Sequence, residues 1–337
     1  MKRYWFDAVL PDRTVWAVAV VLAVWSLAAL GFASAFGGFD PTESADERTT
    51  AFGASLFFAC LNGLGMLMGA VVLRRCRERA STFQFDREKP ADDRNALLAS
   101  IGRTSSVRTV NVFGAGLILG LIHVMILQGS LDVSRGFGSV GAAAGSVGTL
   151  LTWLIVTSVV AAFIDLGGVL ASLSERHLAI DLLMPEHTYR FGRTALLPTV
   201  ALVGTQMLYP LLSLDGSINL SAVLPGFLVT VTAAVFLFLR SIWPVHRRLQ
   251  ALKAEAIAHV DAVLEAERNA IPGADTMQRL GGIIAYRDYF ERLESWPFRM
   301  TTALRWMFYL LIPPMTWVGA ALMENVVVSV WPMGSRG

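Results

Sequence analysis

Apolar residues in this chain gather into long runs, and a single polar interval of comparable length separates the last two of them. Seven runs are long enough to cross a bilayer, at residues 14–36, 51–73, 109–127, 147–173, 194–212, 222–238 and 306–330, since a spanning helix needs about 20 apolar residues. The polar interval, 240–299, is bracketed by Trp243-Pro244 and Trp296-Pro297. Inside it Val245, Leu249, Leu252, Ala256, Val260 and Val263 recur at steps of three and four, and Leu280, Ile283, Tyr286, Phe290 and Leu293 repeat the pattern. Such steps place apolar groups on one face of a helix. Pro272-Gly273 between the two series favours a turn. The pattern predicts an all-α polytopic membrane protein of about seven transmembrane helices, with a helical hairpin between spans six and seven. The corresponding units are a six-span bundle over 1–239 with a basic loop at 74–108, the hairpin at 240–299, and a final span with its tail at 300–337.

Composition supports this class. Hydrophobic residues make up 54% of the chain and charged residues only 16%, which excludes a chain of ordinary soluble domains. The net charge of +2 becomes informative once it is divided by location. The N-terminal residues, the loops 74–108 and 174–193, and the interval 240–305 hold 25 of the 28 Lys and Arg. By the positive-inside rule these segments face the cytoplasm. The N-terminus and the hairpin are then cytoplasmic, and the C-terminus lies outside. All but three of the basic residues are arginine, a bias that suggests a GC-rich bacterial genome and so a bacterial inner membrane. Within the loop 174–193, the spacing predicts a short interfacial helix ending near Pro185.

Ionisable groups inside spans are costly and therefore become candidates for function. His123 in span three, Asp165 in span four and Glu324 in span seven qualify, and Asn62, Gln206 and Asn325 add polar atoms to the spans. Together they form a candidate ion pathway or proton relay. A His123–Asp165 pair would titrate in the physiological range, and a structural hydrogen bond between helices is the simpler role. Gly138, Gly141, Gly145 and Gly148 share one helical face, and Gly65–Gly69 and Gly116–Gly120 are further close-packing pairs. Pro225, Pro313 and Pro314 mark expected kinks. Nucleophile elbows, zinc-protease motifs and phosphate loops are missing from the sequence, so no enzyme, metal or cofactor is expected. The arginines of 74–108 lack interleaved aromatics, which argues against a nucleic-acid partner.

The seven spans, the internal N-terminus and the long cytoplasmic helical element before the last span resemble the layout of odorant-receptor-like ligand-gated channels. The resemblance implies assembly through the cytoplasmic helices and a pore lined by the last span. It is one of topology. The last span here, RWMFYLLIPPMTWVGAALMENVVV, lacks that family's Tyr-to-Gln-Phe signature, so no residue role carries over. The functional expectation is an oligomeric channel-like permeation protein in the lipid bilayer. The alternative is a scaffold or signalling subunit that presents 245–296 to a cytoplasmic protein.

Overall fold

The computed structural model describes residues 2–86, 88–129, 132–208, 220–268 and 274–298, together with Thr301 and Phe308. The described chain is almost entirely helical. A short strand β1 (Lys2–Arg3) leads into α1 (Trp5–Val9), α2 (Thr14–Ala35), α3 (Ala45–Ala80) and α4 (Ala91–Ser100). Strand β2 (Arg103–Thr104) then pairs antiparallel with β1. There follow α5 (Ser106–Gln128), a 3-10 turn at Val133–Phe137, α6 (Val140–Arg176), α7 (Glu186–Ala195), α8 (Leu197–Thr205), α9 (Leu220–Arg268) and α10 (Ala274–Arg292).

Five helices are long and apolar enough to cross a membrane: Thr14–Ala35, Glu47–Ala80, Ser106–Leu127, Val140–Arg176 and Leu224–Glu267. They fit a multi-pass membrane protein and match expected spans one to four and six. The fifth expected span, 194–212, is not one long helix. The chain turns at Leu196, and Pro198 stands in the first turn of α8, which is only nine residues long. Proline fits there because the first N–H groups of a helix have no partner within it. The expected span 306–330, with Glu324, Asn325, Pro313 and Pro314, lies outside the described residues.

Helix α6 is the hub, packing against α5, α3 and α9. Phe163, Leu166, Leu170 and Leu173 on it are fully buried. Helix α2 sits at the edge, with Ala17 and Ala33 its buried residues. Its exposed Val15, Trp16, Val24, Leu27 and Leu30 suit contact with lipid.

Two boundary expectations are corrected by the prolines. The helix expected to end near Pro185 instead begins there: Pro185 occupies the N-cap of α7, and residues 178–181 are not helical. That stretch is tied to the 74–108 loop, with Leu178 bridged to Phe85 and the Asp86 N–H donating to the His177 carbonyl at 2.8 Å. The Trp243-Pro244 pair, which brackets the start of the polar interval, lies inside α9, so the helix runs on through it. An interior proline costs about 3 kcal/mol, and burial on both sides offsets it. Leu237, Ile242, Val245 and Leu249 form one continuous buried face across the proline. Pro225 likewise sits within α9.

Helix α10 runs back along the distal half of α9. His246 Nδ1 lies 2.9 Å from the Ser295 carbonyl, Lys253 donates to the Glu291 carbonyl at 2.7 Å, and Arg287 donates to Asp261 at 2.6 Å. Contacts between 246 and 295, 253 and 291, and 261 and 287 give an antiparallel register.

Candidate functional site

The polar residues singled out in the sequence separate into distinct places. Asp165 on α6 does not meet His123. It accepts from Arg108 Nε at 2.6 Å, pairs with Arg108 Nη2 at 2.5 Å and accepts from the Tyr4 hydroxyl at 2.5 Å. Such a forked guanidinium–carboxylate pair is among the stronger charge-assisted contacts. It meets the requirement that a carboxylate among apolar helices find a partner. Tyr4 reaches it because β1 pairs with β2, whose neighbour Ser105 caps α5 three residues before Arg108. Burial first, and the Asp165 carboxylate second, push the Tyr4 hydroxyl above the usual phenol range. The cluster ties the N-terminal segment to α5 and α6, with the Arg108 and Asp165 side chains 43% and 31% exposed.

His123 belongs elsewhere. It is 8% exposed and its Nδ1 accepts from Trp153 Nε1 of α6 at 2.9 Å. An accepting Nδ1 carries no proton, so the ring is neutral and protonated at Nε2. Both residues line a cavity of about 90 Å³ between α3, α5, α6, α8 and α9. Gln206, just past the end of α8, lines the same cavity at 3% exposure. The structure therefore joins His123 and Gln206, which lie far apart in sequence.

The cavity walls are mainly apolar, with Phe57, Leu61, Ile155, Val159 and Leu202 prominent. Thr149, Thr152, Thr205 and Thr230 add hydroxyls. The Thr205 and Thr230 hydroxyls each donate to a carbonyl of their own helix turn, Leu202 and Gly226, at 2.7 Å. Gln206 Oε1 and Thr152 Oγ1 are buried and without a hydrogen-bond partner among the described residues. Asn62 Oδ1 on α3 is in the same condition but does not line the cavity. Among the described residues, no Asp, Glu, Lys or Arg side chain lines the cavity.

The glycines shape these walls. A Cβ on Gly116 would stand 3.1 Å from the Leu154 Cα, and one on Gly120 would stand 3.3 Å from the Leu150 Cα, so the pair seats α5 on the backbone of α6. Gly65 and Gly69 of α3 meet side chains instead, Ile155 at 3.4 Å from the Cβ position and Val159 and Phe6 at 3.0 Å. Gly148 faces the Phe58 ring, with 2.9 Å to the position of a Cβ, and Gly141 and Gly145 meet Ala35 and Phe36 more loosely. Gly138 precedes the helix and does not share its face.

Sequence reading missed Tyr4 and Arg108 as partners of Asp165, and Trp153 and Thr152 as cavity residues. Arg108 was legible in principle as a charge at the start of a span. Nothing in the spacing pointed to Trp153. Comparison of the chain with known protein families, characterised proteins and solved structures gives no match.

Proposed function

We propose that the chain is a subunit of an oligomeric, channel-like permeation protein of a bacterial inner membrane, with the α9–α10 unit in the cytoplasm. The reading rests chiefly on α9. One unbroken helix of 49 residues, about 74 Å long, forms a cavity wall through Gly226 and Thr230 and, further along, packs against α10. A change at the cavity would then be carried along a stiff rod to the cytoplasmic unit, where subunits would meet. Exposed apolar α2 offers lipid or a neighbouring subunit a contact surface. The test is particle mass and symmetry of the full chain in nanodiscs, coupled to ion flux in liposomes. A closed ring with flux that falls in a Glu324→Ala variant is the expected result. A monomer with tight liposomes under all conditions overturns the reading.

A second reading, a scaffold that presents 245–296 to a cytoplasmic protein, is favoured by one observation. Val260, Val263, Ile283 and Tyr286 line a groove between α9 and α10, flanked by Glu267 and Arg279. Under this reading a Val263→Asp/Ile283→Asp variant keeps its membrane fold and loses a partner recovered with the wild type from native membranes. Partner recovery unchanged by that variant rules the groove out as the contact.

A further inference from the structure

We infer that the face of α9 carrying Phe236, Arg240, Trp243 and Arg247 binds the headgroup of an anionic phospholipid, whose acyl chains lie along the exposed apolar residues that precede it. The inference needs α9 to cross the bilayer as proposed above, and needs neither conduction nor assembly.

Three observations specify the ligand. The first is spacing. The four residues stand at steps of four, three and four in one continuous helix, so they fall within about 60° of one another around its axis. All four are exposed. From 220 to 254 the helix carries Arg240, Arg247, Arg248 and Lys253, and its first acidic residue is Glu255. The second is how Arg240 is held. Its guanidinium lies over the Phe236 ring at 5.8 Å, a cation–π distance. Its stem rests on two glycines of α6: a Cβ on Gly167 would stand 3.8 Å from Arg240 Cδ, and one on Gly168 would stand 3.0 Å from Nη2. The glycines leave room for the side chain to lie across α6, which fixes the charge at the end of the apolar stretch. Nearby arginines are committed elsewhere. Arg108 pairs with Asp165, three residues before Gly168, and Arg248 donates to the Ser174 and Leu178 carbonyls. Among the described residues Arg240 and Arg247 have no such acceptor. The third is what adjoins the charge. Leu228, Val235 and Leu239 are exposed on the side of α9 next to Phe236. A dissolved phosphate would use the arginines alone. A phospholipid uses the whole face: its phosphodiester meets the guanidinium groups and its chains cover the apolar residues. Trp243 stands between the arginines at the level where tryptophan favours the membrane–water boundary. Basic groups at the cytoplasmic end of a span attract anionic headgroups.

The probe is phosphatidylglycerol with a nitroxide near the head of one acyl chain, and phosphatidylcholine with the same label is the control. Nitroxides quench tryptophan at contact, and Trp243 lies on the face. The full chain is placed in phosphatidylcholine nanodiscs with an increasing fraction of each probe. The Trp243 signal is the difference between wild type and Trp243→Phe. Phosphatidylglycerol should quench it at an about 25-fold lower fraction than phosphatidylcholine, about five-fold for each arginine. Arg240→Gln and Arg247→Gln should each reduce that ratio about five-fold. Gly168→Val keeps every charge but displaces the flexible end of Arg240, and should reduce the ratio too. Arg279→Gln removes the same charge from α10, where Arg279 faces Glu267, and should leave the ratio unchanged. Equal quenching by the two lipids, a wild-type ratio in Gly168→Val, or a loss in Arg279→Gln as large as in Arg240→Gln each overturns the inference. Displacement by inorganic phosphate beyond that by chloride at equal ionic strength would assign the face to a dissolved anion and overturn it as well. Flux in liposomes of the same lipids separates the two claims. A phosphatidylglycerol preference without flux removes the channel reading alone, and flux without the preference removes this inference alone.

Discussion

Asp7 and Arg74 form a buried ion pair that fastens the N-terminal segment to the helices. Arg74 Nε donates to Asp7 Oδ1 at 2.7 Å, and Asp7 is completely buried. The other guanidinium N–H groups donate to the carbonyls of Asp7, Leu10, Pro11 and Asp12. All five donors of the planar group are thus used, which a lysine could not reproduce. Removing Arg74 leaves the buried Asp7 carboxylate with only the longer contact to Arg77 at 3.6 Å, at a cost of up to about 3–5 kcal/mol. Arg74→Met and Arg74→Lys should both lower the thermal midpoint of the purified protein by several degrees. The exposed Arg3–Asp12 pair is the internal control, since such pairs contribute roughly 0–1 kcal/mol. Asp12→Asn should leave the midpoint nearly unchanged. An Arg74→Lys midpoint equal to wild type would show that the forked geometry is unimportant.

The raised pKa of Tyr4 predicts a stability loss in alkali. Burial and the Asp165 carboxylate both favour the neutral phenol in the folded chain. The folded state therefore holds this proton to higher pH than the unfolded state does. The contribution is fully present below the unfolded phenol's value of about 10 and is lost as pH climbs above it. Asp165→Asn should lower the Tyr4 titration only part of the way towards the ordinary value, because burial, the larger cause, remains. Phenolate absorbance, read as the difference from Tyr4→Phe, measures it. A titration unmoved by Asp165→Asn would remove the carboxylate from the explanation.

Much of the architecture was legible because hydrophobic run length is a direct signal. Spans one to four and six coincide with long helices in the structure. Prolines were harder to read. Pro185 starts a helix and Pro244 is tolerated within one, and the difference lies in which neighbouring residues find burial elsewhere in the fold. Asp165 could be identified as needing a partner, yet Tyr4 is 161 residues away and comes near through tertiary contacts of the N-terminal segment, the β1–β2 pairing among them. His123 and Gln206 met in one cavity for a similar reason: α5 packs on α6 while α8 packs on α9 and α3, a relation that no local spacing encodes. The glycine pairs stand out in the sequence by their spacing, while the groups they meet, such as Leu154 and Thr157 for Gly116, come from the helix crossing.

Glycines in equally helical positions should respond in opposite ways. A Cβ on Gly116 would lie 2.5 Å from Thr157 Oγ1 and 3.1 Å from the Leu154 Cα, and backbone cannot yield as a side chain can. Gly116→Val should force α5 off α6, at about 1–3 kcal/mol or more. Gly281 lies within α10 and has nothing within 4 Å of its Cβ position. Gly281→Ala should stabilise by about 0.5–1 kcal/mol, because glycine is a poor helix former. Thermal midpoints of the two variants in one detergent compare them directly. A Gly116→Val midpoint at or above wild type would mean that the helices do not cross this closely.

Lys253 controls the end of α10 from the neighbouring helix. Its Nζ donates to the Glu291 carbonyl at 2.7 Å and to the Leu293 carbonyl at 3.0 Å. The last carbonyls of a helix have no partner within it, and a cation there also meets the negative end of the helix dipole. A further polar link between the arms, Arg287 to Asp261, is an ion pair of side chains 35% and 46% exposed, and such pairs contribute roughly 0–1 kcal/mol. Lys253→Met keeps much of the aliphatic stem and removes the donor, so the C-terminal turn of α10 should fray while α9 stays intact. Hydrogen exchange followed by mass spectrometry should report faster exchange over 287–293 and unchanged rates over 245–260. Arg287→Met should have a smaller effect. Equal acceleration in both variants would place the hold on α10 in general charge pairing, and unchanged rates in Lys253→Met would place it in the apolar packing of Val260 and Phe290.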